Sequence, residues 1–225
     1  MSTLYIVATP IGNLEDITLR ALRVLKQVDL VLCEDTRVTR RLFDRYEIST
    51  PTESLNARTE DKKAERIIDL LREGKVIALV SDAGTPTISD PGALLVSRVR
   101  ESLAGVDIVP IPGPSALTTA LSVAGVPASD FLFLGFLPHK KGRETLFQEI
   151  KDSRRTTVLY ESPHRLLKTL ERLSELLDPS RKLVVLRELT KIFEEVFSGE
   201  PLEVLEHFKA YAAIKGEIVI IIEGK

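Results

Sequence analysis

Four short apolar segments alternate with helical patterns along the first 111 residues, and this alternation strongly limits the folds open to the chain. The segments are residues 3–8, 29–33, 76–80 and 106–111. Between most of them, apolar residues recur at the three- and four-residue spacing of amphipathic helices. The polar segment 47–59 is expected to be a loop. Strands that alternate with helices predict an α/β fold with a parallel sheet and helices on both faces.

The second half of the chain has more strands per helix. Its predicted strands are residues 131–136, 156–160, 182–189, 192–197 and 216–223, and the third and fourth follow each other without a helix. This spacing favours a mixed, partly antiparallel sheet. Three prolines in five residues predict a stiff connector between the halves: Pro110, Pro112 and Pro114. We therefore expect two α/β domains, residues 1–112 with a parallel sheet and residues 113–225 with a mixed sheet.

Residues 81–92 (SDAGTPTISDPG) form the most distinctive loop of the sequence. They follow the apolar segment 76–80 and precede a helical pattern that begins near Ala93. Loops after the carboxyl ends of strands bind ligands in open α/β sheets. Gly84 permits a close backbone approach, and Asp82 offers hydrogen-bond acceptors. Asp90 and Pro91 fit the N-cap and first position of the next helix. The loop is interpreted as a ligand site, with a well-capped turn that binds nothing as the alternative.

Composition excludes several classes of protein. Apolar residues make up 44% and charged residues 28% of the 225 residues, which is typical of a globular chain rather than a disordered one. Cys33 is the sole cysteine, so no intrachain disulfide or cysteine-rich zinc site is possible, and a reducing cytoplasm is expected. No apolar run approaches the ~18 residues of a membrane span, and no signal peptide is expected.

Sequence motifs for several common chemistries are missing. The three histidines have no paired ligand spacing, so no metal site is predicted. The chain lacks the serine-hydrolase motif Gly-x-Ser-x-Gly, the P-loop motif, and the dinucleotide fingerprint after its first strand. Two small-residue loops, the proline-rich connector and a polar helix start remain as features that can line a ligand cleft between two domains.

Charge is distributed unevenly along the chain. The net charge is −2, but residues 139–191 contain thirteen Lys and Arg against eight Asp and Glu. An acidic body with one basic region is consistent with a surface that binds phosphate groups. Ordinary surface charge on helices is the alternative interpretation.

Seven segments, in order along almost the whole chain, resemble the tetrapyrrole methylase superfamily. They are residues 4–16 (LYIVATPIGNLED), 33–37 (CEDTR), 81–92, 112–116 (PGPSA), 159–165 (LYESPHR), 187–191 (RELTK) and 215–217 (KGE). Within the superfamily they are most similar to the 16S ribosomal RNA (cytidine-2'-O)-methyltransferases. Members that act on tetrapyrroles usually carry Gly-x-Gly-Pro-Gly-Asp after the first strand. This chain departs from that pattern, which favours the RNA subfamily.

The resemblance implies two α/β domains with S-adenosylmethionine in the cleft between them, and a homodimer. It also implies methylation of the ribose 2'-hydroxyl of a cytidine in the decoding region of the small ribosomal subunit. By position, the residues implied to contact the cofactor are Pro10, Asp82, Ala83, Thr85, Ser115 and Ala116, with Tyr160 and Gly216 framing its adenine.

The implied reaction needs few catalytic groups, because the cofactor carries an activated methyl group. Positioning of the hydroxyl is the main task, aided by a base or a stabilising cation. Glu161 and Lys191 are the candidates chosen from a set that also holds His164 and Glu188. For each of them, a structural role such as a helix cap or a Glu188–Lys191 ion pair is the alternative. Candidate phosphate contacts are Arg37, Arg40, Lys140, Lys141 and Arg165.

Two other functions fit parts of the same pattern. A methyltransferase for a tetrapyrrole precursor fits the superfamily, although the basic second half and the first loop argue against it. A ribosome-binding protein without catalytic activity would retain the cofactor only for stability. Methyl transfer to small ribosomal subunits distinguishes the three functions.

Overall fold

The computed structural model describes residues 2–225, which divide into two compact units, one up to Ser115 and the other from Ala116 to Lys225. The first unit alternates strands and helices in this order: β1 (Thr3–Val7), α1 (Leu19–Gln27), β2 (Leu30–Cys33), α2 (Thr36–Tyr46), β3 (Thr52–Ser54), α3 (Glu60–Arg72), β4 (Val76–Leu79), α4 (Ala93–Ser102) and β5 (Asp107–Ile111). The strands form one parallel sheet in the order β3-β2-β4-β1-β5.

Both faces of this parallel sheet are covered by helices, as the alternation in the sequence predicts. On one face, Val31 and Ala78 pack with Leu25 of α1 and Phe43 of α2. On the other face, the buried side chains of β1, β2 and β4 pack with those of α3 and α4: Leu4, Leu32, Ile77, Leu79, Ala64, Ile67, Ile68, Leu71, Leu95 and Val99. Burial on both faces explains why these strands are continuous apolar runs.

The second unit has the elements α5 (Ala116–Val123), β6 (Phe131–Phe136), α6 (Arg143–Asp152), β7 (Thr156–Glu161), α7 (Leu166–Leu176), β8 (Leu183–Arg187), β9 (Glu195–Gly199), α8 (Pro201–Lys209) and β10 (Ile218–Ile222). Its sheet has the order β6-β7-β10-β8-β9, in which only β6 and β7 are parallel. The predicted α/β class, with a parallel first sheet and a mixed second sheet, is confirmed.

Three local predictions were wrong. The segment 47–59 is not entirely a loop, because Thr52–Ser54 pairs with β2 at the edge of the sheet. A strand of three half-exposed or exposed residues is too short to produce a recognisable apolar pattern. The strand expected at 192–197 lies at Glu195–Gly199 instead. The N-cap residue of α4 is Gly92 rather than Asp90, and the helix begins at Ala93 instead of Pro91.

Candidate functional site

The loops after β4, β1 and β5 meet at one edge of the first sheet. These three strands are neighbours and run parallel, so their carboxyl ends lie side by side. The edge therefore collects the loop that begins at Ala8, the loop 80–92 and residues 112–115. Open α/β sheets bind their ligands at this position.

Reciprocal hydrogen bonds join the loop that begins at Ala8, the first loop, to residues 80–92, the central loop. The Thr9 amide donates to the Gly84 carbonyl at 2.9 Å, and the Gly84 amide donates to the Thr9 carbonyl at 3.0 Å. The Thr9 hydroxyl also donates to the Ser81 carbonyl at 3.0 Å. Gly84 has φ +85°, and a Cβ added there would lie 3.4 Å from Ile11. This pairing puts Pro10 beside the Asp82–Thr85 turn.

The segment after β5 completes the same edge. The Thr85 hydroxyl donates to the Pro114 carbonyl at 3.2 Å. Gly113 passes so close to the first loop that an added Cβ would lie 3.0 Å from the Ala8 Cβ. The structure thus brings together the stretches that contain five of the predicted cofactor residues: Pro10, Asp82, Ala83, Thr85 and Ser115.

The far end of the central loop has an unusual backbone. Thr87 has φ +74° and Ser89 has φ +64°, although neither is glycine. Such residues cost about 1–3 kcal/mol each and are concentrated at functional sites. Gly92, at φ +118°, has no room for a side chain, since an added Cβ would overlap Leu79. The surrounding contacts must hold this shape.

Glu60 supplies one of those contacts and was missed by sequence reasoning. Its carboxylate is buried, and Oε1 accepts hydrogen bonds from the amides of Gly92 at 3.1 Å and Leu95 at 2.8 Å. Glu60 is the first residue of α3, yet it caps α4. A negative charge at a helix N-terminus is favourable. No local signal reveals this cap, because the partners are 32 and 35 residues away.

Three carboxylates lie at the carboxyl ends of β2 and β4. Oδ1 of Asp82 accepts a hydrogen bond from the Asp35 amide at 3.0 Å. Burial raises the pKa of Asp82, and burial together with the charges of Asp82 and Asp35 raises the pKa of Glu34. Hydrogen bonds from Arg37 lower the pKa of Asp35 to about 2. This part of the edge therefore favours a cationic group.

Glu161 is buried among donors. Oε1 accepts from Arg165 Nη2 and from the Ser162 amide, both at 2.7 Å, and Oε2 accepts from the Thr169 hydroxyl at 2.6 Å. Arg143 Nη2 lies 3.7 Å from Oε2. With a side chain that is 1% exposed, this carboxylate has the surroundings of a structural anchor.

Lys191 is paired with Glu188 at 2.8 Å and with Glu217 at 2.9 Å. Burial disfavours its charge, but these hydrogen bonds prevail and raise its pKa. Lys191 is therefore suited to act as a fixed cation rather than as a base. A Cβ at Gly216, where φ is +94°, would overlap the Glu188 side chain, so the backbone conformation and the packing both favour glycine there. The ion pair considered as the alternative is present.

The remaining predicted residues of the second unit differ in exposure. Tyr160 is half-buried and contacts Phe133 and Phe136 edge to face. Ala116 is the first residue of α5. Lys140 and Lys141 are exposed, whereas the Arg165 side chain is only 16% exposed.

Arg37 and Arg40, the predicted phosphate contacts of the first unit, are exposed but paired. Arg37 forms an ion pair with Asp35 at 2.5 Å, and Arg40 forms one with Asp44 at 2.6 Å. Each arginine thus already has a carboxylate beside it, which reduces the attraction that its charge exerts on a phosphate.

Metal and membrane features are both missing from the part of the chain that the structure describes. Within residues 2–225, no group of three or more His, Cys, Asp and Glu side chains is arranged to hold a metal ion. In the same residues, every helix is too short or too polar to cross a bilayer.

Comparison with known proteins adds relatives and fold neighbours. The chain is 48% identical over its full length to the full-length ribosomal RNA small subunit methyltransferase I of Thermotoga maritima. It is 49% identical to the protein of that name from Escherichia coli O157:H7, covering 98% of this chain and 77% of that protein.

Solved structures share the fold at lower identity. The methyltransferase CobJ superposes with a TM-score of 0.72 at 19% identity, covering 99% of this chain and 93% of that one. Uroporphyrin-III-C-methyltransferase from Thermus thermophilus gives a TM-score of 0.65 at 24% identity, covering 97% and 93%. The family model of the tetrapyrrole (corrin/porphyrin) methylases matches residues 3–204 of this chain. The solved structures thus agree with the observed fold, and because the family match covers most of the residues, the chain belongs to the tetrapyrrole (corrin/porphyrin) methylase family.

Proposed function

We propose that this chain transfers a methyl group from S-adenosylmethionine to the ribosomal RNA of the small subunit. The observation that carries the proposal is the 48% identity, over the whole of both chains, to a protein named ribosomal RNA small subunit methyltransferase I. The finer part of the proposal is the acceptor: the ribose 2'-hydroxyl of a cytidine in the decoding region of 16S ribosomal RNA. That part rests on the resemblance of the seven sequence segments.

The edge of the first sheet fits the proposed cofactor. The methionine part of S-adenosylmethionine carries a sulfonium and an ammonium group, and the cluster of Glu34, Asp35 and Asp82 is acidic. Among the described residues, Asp82 Oδ1 has a donor but Oδ2 has none, so Oδ2 remains available to a ligand. Pro10, Ala83 and Gly84 add small or rigid residues through which a ligand approaches backbone groups.

The cofactor contacts follow from that fit. We propose that Pro10, Asp82, Ala83, Thr85 and Ser115 hold the cofactor. The resemblance adds Ala116, Tyr160 and Gly216, which stay predictions.

The proposed reaction mainly requires that the acceptor oxygen be aligned with the methyl group. When bound, the cofactor supplies an activated methyl group, and the protein must orient the acceptor oxygen toward it. As the acceptor hydroxyl receives the methyl group it must lose its proton, which a base or water would take up. Lys191, a cation fixed by two carboxylates, is proposed to stabilise negative charge on the acceptor oxygen. A base role for Glu161 stays a prediction.

RNA contact is proposed for the cations named from the sequence. Lys140 and Lys141 are exposed, while Arg37 and Arg40 are exposed but paired. Arg165, mostly buried, is the weakest of the five as a direct contact.

Assembly and location are part of the proposal. The resemblance favours a homodimer, which light scattering after size-exclusion chromatography measures directly. A cytoplasmic location agrees with the single cysteine, Cys33, which is buried and leaves no intrachain disulfide possible. A buried, protonated thiol is poorly reactive.

Radiolabelled methyl transfer tests the function. Small ribosomal subunits from a strain lacking the homologous methyltransferase are incubated with the protein and labelled S-adenosylmethionine, and the RNA is digested and mapped. Label in 2'-O-methylcytidine supports both the coarse and the fine proposal, and label in another nucleoside refutes the fine one. Absence of label despite cofactor binding refutes both. Tetrapyrrole precursors are then assayed as substrates first, and the non-catalytic function is considered only if they are not methylated.

A further inference from the structure

The loops after β6 and β7 form a strongly basic part of the second unit. These two strands are parallel neighbours, so their carboxyl ends and the starts of α6 and α7 lie at the same edge of the sheet. Residues 138–143 and 161–168 contain five Lys and Arg but one carboxylate, Glu161. The edge therefore carries net positive charge.

Glu161 holds both arginines at this edge, Arg143 and Arg165, and these three side chains form a cluster that we call the bracket. Its carboxylate binds Arg165 at 2.7 Å and lies 3.7 Å from Arg143. Arg165 Nη1 donates to the Leu137 carbonyl at 2.8 Å, and Arg143 Nη1 donates to the Pro138 carbonyl at 3.3 Å. The bracket thus ties the loop after β6 to the start of α7.

Thr169 closes the bracket. Its hydroxyl donates to Glu161 Oε2 at 2.6 Å and accepts from Arg143 Nη2 at 2.8 Å. The charges of both arginines are thus neutralised within the protein, and the hydrogen bonds hold both side chains in place, so neither can move to contact a ligand. Their role is to fix the backbone that carries the other cations.

Lys140, Lys141 and Lys168 remain at the surface. All three are exposed, and none forms an ion pair with a carboxylate in residues 2–225. In contrast, Arg37 and Arg40 each have a carboxylate within 2.6 Å. The unpaired lysines therefore present the stronger field to an anion.

The start of α7 adds to this field, whereas the first turn of α6 contains Glu144, which is paired with Arg172. Neither helix has a side-chain hydrogen bond at its N-cap, and the first turn of α7 contains no acid. Lys168 lies in that first turn, where the helix dipole disfavours a cation. Helix stability does not explain such a placement, whereas an anion bound at this edge would.

We propose that Lys140, Lys141 and Lys168, with the exposed imidazoles of His139 and His164, form one docking surface for the phosphate backbone of RNA. Glu161 is a positioning residue that sets the shape of this surface through Arg143 and Arg165. The inference rests on the proposed function, because it assigns to the RNA substrate a surface in the second unit. Phosphate contacts of this kind position an RNA without reading its sequence.

Charge reversal tests the surface. The variants are Lys168→Glu and the double change of Lys140 and Lys141 to Glu. Lys151→Glu is the matched control, because Lys151 is exposed at the opposite end of α6. Binding of a short single-stranded RNA oligonucleotide is measured across a salt series, together with KM and kcat for small ribosomal subunits and the cofactor Kd.

The expected result is weaker binding of RNA with unchanged binding of the cofactor. Each lost phosphate contact lowers the magnitude of the log–log salt slope by about 0.7 and weakens binding roughly fivefold near 0.1 M salt. KM for subunits rises, and the cofactor Kd and the control do not change. Unchanged RNA affinity and KM in both variants overturn the surface. If the wild-type protein labels no subunit, the proposed function fails, and the salt series still decides on the surface.

Glu161→Gln separates positioning from base catalysis. Glutamine keeps one oxygen that can accept from the Ser162 amide, but its NH2 group cannot accept from the Thr169 hydroxyl, and the charge that holds both arginines is lost. We expect a higher KM for subunits with an unaltered pH profile of kcat. Thr169→Val, which leaves the carboxylate in place, is expected to raise KM in the same direction. A fall in kcat with an altered pH profile and unchanged KM would instead make Glu161 a base and overturn the positioning role.

Discussion

Replacement of Glu60 by alanine is expected to damage the central loop from a distance. The carboxylate accepts from the amides of Gly92 and Leu95, and it is buried. Hydrogen bonds to a charged group contribute about 1.5–3 kcal/mol each, and a buried donor left without a partner costs about 1–3 kcal/mol. With partial relief by entering water, we expect the variant to lose about 2–4 kcal/mol of unfolding free energy.

Glutamine at the same position is the graded test. Its amide oxygen still accepts from both backbone groups, so the loss is mainly the attraction between a negative charge and the N-terminus of α4. That attraction contributes about 0.5–2 kcal/mol when partly buried. Denaturant unfolding should therefore rank wild type above Glu60→Gln and Glu60→Ala lowest. Glu65→Gln, an exposed change on the same helix, is the control and should lie within about 0.5 kcal/mol of wild type.

The functional consequence appears in cofactor binding. Gly92 closes the loop that contains Asp82, Ala83 and Thr85, so a loosened helix start lowers the population of the binding shape. A local cost of about 2 kcal/mol would weaken the apparent affinity by up to roughly 30-fold. Calorimetric titration with S-adenosylmethionine measures this directly. If Glu60→Ala has wild-type stability and affinity, the capping argument is wrong.

Three further predictions concern single sites. Burial raises the pKa of Asp82, so cofactor affinity should fall as the pH drops through that raised value, and Asp82→Asn should bind weakly at every pH in the same titration. Burial opposes the charge of Glu195, but hydrogen bonds from Tyr211, His207 and Arg187 prevail and lower its pKa. The stability that ionised Glu195 gives the fold is therefore present above the ordinary pKa of a glutamate and is lost as the pH falls through the lowered pKa. In Glu195→Gln, the melting temperature should therefore fall less steeply on the acid side of its pH profile than in wild type. Gly216→Ala should lose about 1–3 kcal/mol in denaturant unfolding, because of its positive φ and the overlap with Glu188.

Strands and loops of the first unit were predictable because their signals are local. The run Val76–Leu79 is apolar throughout since both faces of β4 are covered, and the loop after it stands out by composition. The same reasoning missed β3, whose three residues have little apolar character. It also placed the cap of α4 at Asp90, where aspartate before proline is the usual local signal.

The contacts of the candidate site residues were harder to predict where their partners are remote in sequence. The spacing of Glu188 and Lys191 suggested an ion pair, which the structure contains at 2.8 Å. No spacing indicates that Arg143 approaches Glu161, because the two lie on different elements and meet only when β6 and β7 pair. Pairing of that kind decides whether an arginine is available to a ligand.

The strain in the central loop and the cap on α4 are best understood together. Thr87 and Ser89 each cost about 1–3 kcal/mol in their left-handed backbone conformation. The two hydrogen bonds that Glu60 accepts contribute a stabilisation of similar size. A relaxed turn would connect β4 and α4 without the strain and without the buried carboxylate. The cap and the strain thus belong to one loop shape, and loss of the Glu60 carboxylate should loosen that shape at the net cost of about 2–4 kcal/mol expected for Glu60→Ala.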